Sequence, residues 1–134
     1  VLHDLRIDTR IVLGAGALER VGELAAGLGE RAVLVTGRHA MRRAGVTDRV
    51  VASLRRASVA VTVADVVPPE PRIRDAERVL RIVEDAGADV IIAIGGGSVL
   101  DVGKACGVAA GVGPVARLVG ASVERRLPVI AVPT

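Results

Sequence analysis

The feature that most constrains this chain is an apolar run ending at three consecutive glycines, Asp89-Val-Ile-Ile-Ala-Ile-Gly-Gly-Gly-Ser-Val-Leu-Asp-Val-Gly-Lys104. Val90, Ile91, Ile92 and Ile94 are mostly β-branched and suit a strand buried on both faces. Gly95, Gly96 and Gly97 let the backbone turn sharply and let a large group approach without meeting a Cβ. Ser98 has the type and position of a helix N-cap, with Asp101 three residues on, so a helix is expected from Ser98 to about Ala110. Strand, glycine turn and helix start together aim free amides and a positive helix dipole at one spot, the arrangement that binds phosphate.

The remaining chain repeats the alternation of short apolar runs with helical periodicity. Leu5 to Leu13 reads as an extended edge segment, and Gly14-Ala-Gly16 as a turn. A helix over Ala17 to Leu28 follows, with Val21, Leu24, Ala25 and Leu28 on one face and Gly29 as its stop. Ala32 to Val35 is a buried strand, ending in Thr36-Gly-Arg-His39. Val46 to Ala57 is helical with Val50, Val51 and Leu54 aligned, ending at Ser58 where glycine would ordinarily supply a left-handed residue. Val59 to Ala64 is a strand, and Val66-Val-Pro-Pro-Glu-Pro71 a stiff extended loop. Arg72 to Ala86 is a helix with Ile73, Ala76, Val79, Leu80 and Val83 inward. After the glycine turn come a short helix near Val115 to Val119 and a final strand, Leu127 to Val132. Four short apolar strands separated by helices predict one domain over residues 1–134: an α/β, Rossmann-like three-layer fold, mostly parallel, with helices on both faces.

In such a sheet ligands sit at the carboxyl ends of strands, which makes Thr36, Gly37, Arg38 and His39 candidates by position. His39 has no second ligand nearby, so it reads as capping or lining its loop rather than holding a metal. Two motif names fail on spacing. A P-loop needs four residues before its Gly-Lys and a Ser or Thr after, whereas five separate Gly97 from Gly103 and Ala105 follows Lys104. A Gly-x-Gly-x-x-Gly begun at Gly95 needs glycine where Leu100 stands, and one begun at Gly14 needs it at Glu19. A purely structural alternative makes Ser98 and Asp101 a capping box, with Asp101 and Lys104 paired across one turn. It leaves three successive glycines unexplained, since one suffices for a turn.

Composition narrows the classes. Net charge is +3, but the arginines are interleaved with acids and there is no Phe, Tyr or Trp to stack on a base, which argues against nucleic acid. No apolar run approaches the roughly 20 residues of a membrane span, and the start of the chain does not resemble a signal peptide, so a cytoplasmic protein with no membrane partner is expected. The single Cys106 reads as a small core residue. Asn and Gln are missing as well as the aromatics, and Lys104 is the only lysine. A deliberately reduced alphabet would produce this pattern, so an engineered scaffold without activity stands as an alternative.

Gly-Gly-Gly-Ser-Val-Leu-Asp-Val-Gly-Lys at 95–104 resembles the glycine-rich signature of the iron-containing (group III) alcohol dehydrogenases. Four further pieces agree in order: Gly14-Ala-Gly-Ala-Leu18, Leu34-Val-Thr-Gly37, Val67-Pro-Pro-Glu-Pro71 and Leu127-Pro-Val-Ile-Ala-Val-Pro-Thr134. The resemblance implies an NAD(P)-binding domain. Gly95, Gly96, Gly97 and Ser98 would hold the pyrophosphate, Asp101 would lie near the cofactor, and Thr134 would line the same cleft. In that family an iron or zinc ion polarises the alcohol as a Lewis acid, and its Asp and His ligands come from a helical C-terminal domain. Residues 1–134 contain no counterpart of those ligands; His3 and His39 do not align with them. The expectation is therefore cofactor binding without metal and without catalysis by this chain alone, with the helical domain as its missing partner and a homo-oligomer open through the surface that domain would cover.

Two departures from the family pattern bear on the cofactor. Many members carry Asp where Gly37 stands; its loss removes repulsion of a 2′-phosphate, and Arg38 could pair with that phosphate, so NADP is favoured slightly over NAD. Glu70 stands where Asn is common and would weaken dinucleotide binding. A sister activity on the same domain, of the glycerol dehydrogenase, glycerol-1-phosphate dehydrogenase or dehydroquinate synthase type, is the nearest alternative.

Overall fold

The structure, a computed structural model, describes residues 2, 8–120, 122 and 126–134. Four strands, β1 (Arg31–Gly37), β2 (Ala60–Val67), β3 (Val90–Gly95) and β4 (Val129–Pro133), form one sheet in the order β2-β1-β3-β4, every pair parallel. Helices α1 (Val21–Ala26), α2 (Ala40–Arg43), α3 (Val46–Arg56), α4 (Ile73–Asp85) and α5 (Gly97–Ala109) fill the connections.

The two-residue period of the strands divides the core into two layers. Ala32, Leu34, Val90, Ile92 and Ile94 face Val21 and Ala25 of α1 and Val50 and Leu54 of α3. Val33, Val35, Ile91 and Ala93 face Ala76, Val79, Leu80 and Val83 of α4 and Val99, Val102, Cys106 and Ala109 of α5. All six residues of β3 are buried, as a strand covered on both sides requires. The layers also follow from connection handedness. The β1-to-β2 step runs one way along the sheet and the β2-to-β3 and β3-to-β4 steps run the other, so crossovers of a single hand must put α3 on one face and α4 and α5 on the opposite one.

Polar contacts fix this frame at its margins. At the amino end of the sheet the Asp89 carboxylate accepts the N–H groups of Glu30 (3.0 Å) and Arg31 (2.9 Å), while Asp89 N–H donates to Arg31 O at 3.0 Å, tying the start of β3 to the start of β1. Between α1 and α3, Ser53 Oγ accepts Gly22 N–H at 3.0 Å and donates to Glu19 O at 2.7 Å. A Cβ on Gly22 would strike the Ser53 carbonyl, so glycine sets how closely these helices approach.

The α/β class, the parallel sheet and the helices on both faces are as the sequence predicts, with local differences. β2 extends to Val67, so Val66 and Val67 belong to the sheet rather than to the proline loop. Ile73, the first residue of α4, is 59% exposed, and Leu28 49%, because a 3-10 turn over Leu18–Arg20 leads into an α1 that ends at Ala26, short of the expected Leu28. Ser58 does take the left-handed conformation (φ 59°) that its position after α3 demands. Helix α2 is unforeseen, and the segment near Val115 is a single 3-10 turn, Val115–Arg117. Of the expected edge segment, residues 8–13 form no strand, and Leu5, Arg6 and Ile7 lie outside the described residues, as does His3.

Candidate dinucleotide site

β1 sits between β2 and β3, and its outgoing connection passes to one face of the sheet while that of β3 passes to the other. The carboxyl ends of β1 and β3 therefore flank a topological switch point, where a crevice opens in doubly wound sheets. Thr36 is in register with Ile94, which brings Gly37 and Gly95, one residue further on, to the same rim.

The three glycines there do different things. Gly95 is buried with φ +154°, and a Cβ on it would lie 2.9 Å from Val99 Cγ2. It is required by the fold. Gly96 is the N-cap of α5 and Gly97 its first residue; both are exposed, and a Cβ on either would meet nothing within 4 Å. They leave the helix N-terminus bare on its outer side. Val99 N–H and Leu100 N–H both turn back to Gly96 O, at 3.0 and 3.2 Å, while the N–H groups of Gly97 and Ser98 precede any helical acceptor. Two donors without a helical acceptor thus lie at the positive end of a 13-residue helix, beside two glycines where an added Cβ would meet nothing within 4 Å.

Ser98 departs from expectation. Gly96, not Ser98, caps α5, so the Ser98–Asp101 capping box is absent; the Ser98 hydroxyl instead donates to Pro69 O at 2.6 Å. The cap falls two residues before Ser98 because the extended Gly96 already ends the turn and the helix begins at Gly97. Asp101 lies one turn beyond the glycines, highly exposed, with Lys104 Nζ at 3.9 Å; a screened surface pair of this kind contributes little stability. Thr134 reaches the rim through its N–H, which donates to Gly95 O at 3.2 Å and extends the β3–β4 ladder.

On the β1 side, Gly37 pairs with Val67 after an irregularity in the ladder, and a Cβ on it would make only ordinary contacts, Val67 O at 3.7 Å and Val99 Cγ2 at 4.0 Å. Arg38 is exposed beside it, and His39 takes the N-cap position of α2 without a side-chain cap bond. Arg42 pairs with Asp65 near the same rim. The structure thus gathers Gly37, Arg38, Gly95, Gly96, Gly97, Ser98 and Thr134 at one edge and sets Asp101 a turn away. Two contributors had no signal in the sequence reading. Pro69 acts through a carbonyl, which side-chain motifs do not report, although three prolines in five residues shed N–H groups and leave carbonyls seeking donors. Val99 fills the gap between the ends of β1 and β3, legible only as its i+4 spacing from Gly95.

At Gly96 and Gly97 a group can approach the backbone without meeting a Cβ. A metal finds no comparable place: among the described residues no group of three or more His, Cys, Asp or Glu side chains could hold one. Cys106 is buried, its thiol near Ala76 O at 3.4 Å, and burial pushes its pKa up to about 12, so it is inert rather than nucleophilic. A hollow of about 930 Å³ lies between residues 8–14, α1, one side of α5 and β4, with Pro133, the register partner of Gly95, in its lining. No helix among the described residues is long and apolar enough to cross a membrane.

Strand order, the glycine turn and the helices on both faces define a doubly wound α/β domain. The sequence profile of the iron-containing alcohol dehydrogenases matches residues 8–134, and the chain belongs to that family. It is 34% identical over 109 residues to NADH-dependent butanol dehydrogenase A of Clostridium acetobutylicum, covering 81% of this chain and 28% of that protein. To the NADPH-dependent butanol dehydrogenase of Clostridium saccharobutylicum it is 35% identical over 95 residues, covering 71% of this chain and 24% of the relative. The crystal structure of NADH-dependent butanol dehydrogenase A from Thermotoga maritima superposes with a TM-score of 0.87 at 26% identity, over 99% of this chain and 34% of that one. The chain spans about a quarter to a third of the length of these relatives.

Proposed function

We propose that residues 1–134 form the dinucleotide-binding part of an NAD(P)-dependent, iron-type alcohol dehydrogenase. The observation that carries this reading is the N-terminus of α5 at the switch point, where Gly97 and Ser98 have no helical acceptor for their N–H groups and an added Cβ on Gly96 or Gly97 would meet nothing within 4 Å. A diphosphate there gains two charge-assisted hydrogen bonds and the helix dipole. Gly95 shapes the turn, and Gly37 and Arg38 border the ribose end. The nicotinamide, when bound, supplies a hydride acceptor or donor. The family's metal and the alcohol belong, on this reading, to the helical part of the family's chain beyond the aligned portion, and the described residues take no part in polarising the substrate.

NADP is the preferred form. Gly37 places no carboxylate beside a 2′-phosphate, and the exposed Arg38 guanidinium adjoins it. Relatives named for NADH and for NADPH both exist, so the choice rests on these two residues.

The test is a titration of NADPH and NADH fluorescence with the chain, which carries no Phe, Tyr or Trp to interfere. The expected result is a change in NADPH emission that Gly97→Val abolishes by filling the open space, with NADH weaker. An unchanged emission at millimolar cofactor overturns the reading, and tighter NADH binding overturns the preference.

A further inference from the structure

The Ser98 hydroxyl has one proton to donate, and it is already given to Pro69 O at 2.6 Å. A phosphate oxygen can only accept, so the side chain cannot serve the proline loop and a bound diphosphate at once. The loop has little else to hold it. Pro68, Pro69 and Pro71 have no N–H, and the next anchor along the chain is Arg72 N–H, which donates to Asp75 Oδ2 at 2.8 Å at the start of α4. Meanwhile the N–H groups of Gly97 and Ser98 remain available to the ligand without any rearrangement.

We infer that Ser98 is a positioning residue: its hydroxyl latches the Pro68–Pro71 loop against the glycine turn, and its backbone N–H, with that of Gly97, is what meets the diphosphate. This deepens, and rests on, the dinucleotide reading above. The latch keeps one wall of the crevice in place before the cofactor arrives, so its benefit is preorganisation rather than a direct contact. Glu70 follows the latched carbonyl directly and is exposed.

The carbonyl carbon of Pro69 is read directly through the Glu70 amide in a ¹³C,¹⁵N-labelled sample of the full chain. Without ligand, Ser98→Ala should move that resonance upfield as the hydrogen bond is lost, and Ser98→Thr, which keeps the hydroxyl, should restore it. On adding NADPH to the wild type the resonance should stay at its latched position. Ser98→Ala should weaken NADPH binding by about three- to tenfold, the worth of one hydrogen bond, with Ser98→Thr near wild type. The inference is overturned if NADPH moves the wild-type resonance to the Ser98→Ala position, because the hydroxyl has then turned to the phosphate. It is also overturned if Ser98→Ala binds NADPH as the wild type does. Failure of the wild type to bind at all sinks the dinucleotide reading itself and the inference with it, which is a different outcome from either of these.

Discussion

Gly103 of α5 lies so close to Ala93 of β3 that a Cβ on the glycine would fall 2.6 Å from the alanine methyl. Further along the same face, a Cβ on Gly107 would fall 2.6 Å from Val129 Cγ2. These two glycines let the helix backbone settle onto the sheet, and that seating places the helix N-terminus at the strand ends. Gly103→Ala therefore sets two effects against each other. Helix propensity favours alanine by about 1 kcal/mol, but the collision is with a short, rigid methyl, and overpacking costs about 1–3 kcal/mol. The expected net effect is destabilisation, measured as a lower denaturant midpoint at unchanged slope by circular dichroism. A midpoint equal to or above wild type would show that the helix can lift without loss.

Thr47, 4% exposed in the first turn of α3, has an Oγ1 without a hydrogen-bond partner among the described residues. Replacing a buried, unsatisfied hydroxyl by a methyl of the same shape removes a desolvation cost of about 1–3 kcal/mol. Thr47→Val should raise thermal stability. A fall would mean that the hydroxyl has a partner in solution, such as a buried water.

The space at Gly37 bears on cofactor choice. Its backbone is not left-handed, and a side chain there would start with ordinary contacts only. Gly37→Asp should therefore fold normally and shift preference from NADP toward NAD, since a carboxylate bonds a ribose 2′-hydroxyl and repels a 2′-phosphate. Competition of the two reduced cofactors by fluorescence reads the ratio directly. An unchanged ratio would place the 2′ position elsewhere.

Burial of Cys106 gives the protein an alkaline liability. Burial raises its folded pKa to about 12, above the ordinary thiol value, so the unfolded chain loses this proton first. Stability is then fully present below about pH 9 and falls as pH rises toward 12. With no tyrosine and one lysine, few other groups titrate in that range. Cys106→Ala should flatten the decline, whatever its cost at neutral pH; a decline of the same slope would assign the effect to another group.

How much of this was readable beforehand differs by level. The two-face burial of Val33, Leu34, Ile91 and Ile92 was legible because continuous β-branched runs between helical periods leave few alternatives to a parallel sheet. The candidate residues at 37–38 and 95–98 were marked by their place after apolar runs, but that the ends of β1 and β3 lie side by side needed the strand order, which apolar runs do not encode. The internal wiring of the site was not legible either. Ser98 carries the residue type of a cap, yet two flexible glycines before it allow the helix to begin earlier, and only the folded loop offers Pro69 O as a better acceptor. Ile73 and Leu28 fit a helical stripe perfectly well, but periodicity does not say where the covering layer ends.

Asp89 shows how far from a binding rim its dimensions can be decided. The carboxylate grips two consecutive amides at the start of β1 from the start of β3, and six residues later Gly95 stands beside Gly37. At about 3.3 Å per residue that is about 20 Å of rigid strand. The spacing between the ends of β1 and β3 is thus gauged at the opposite end of the sheet, and a change at Asp89 would be felt at Gly37 and Gly95, which it never touches.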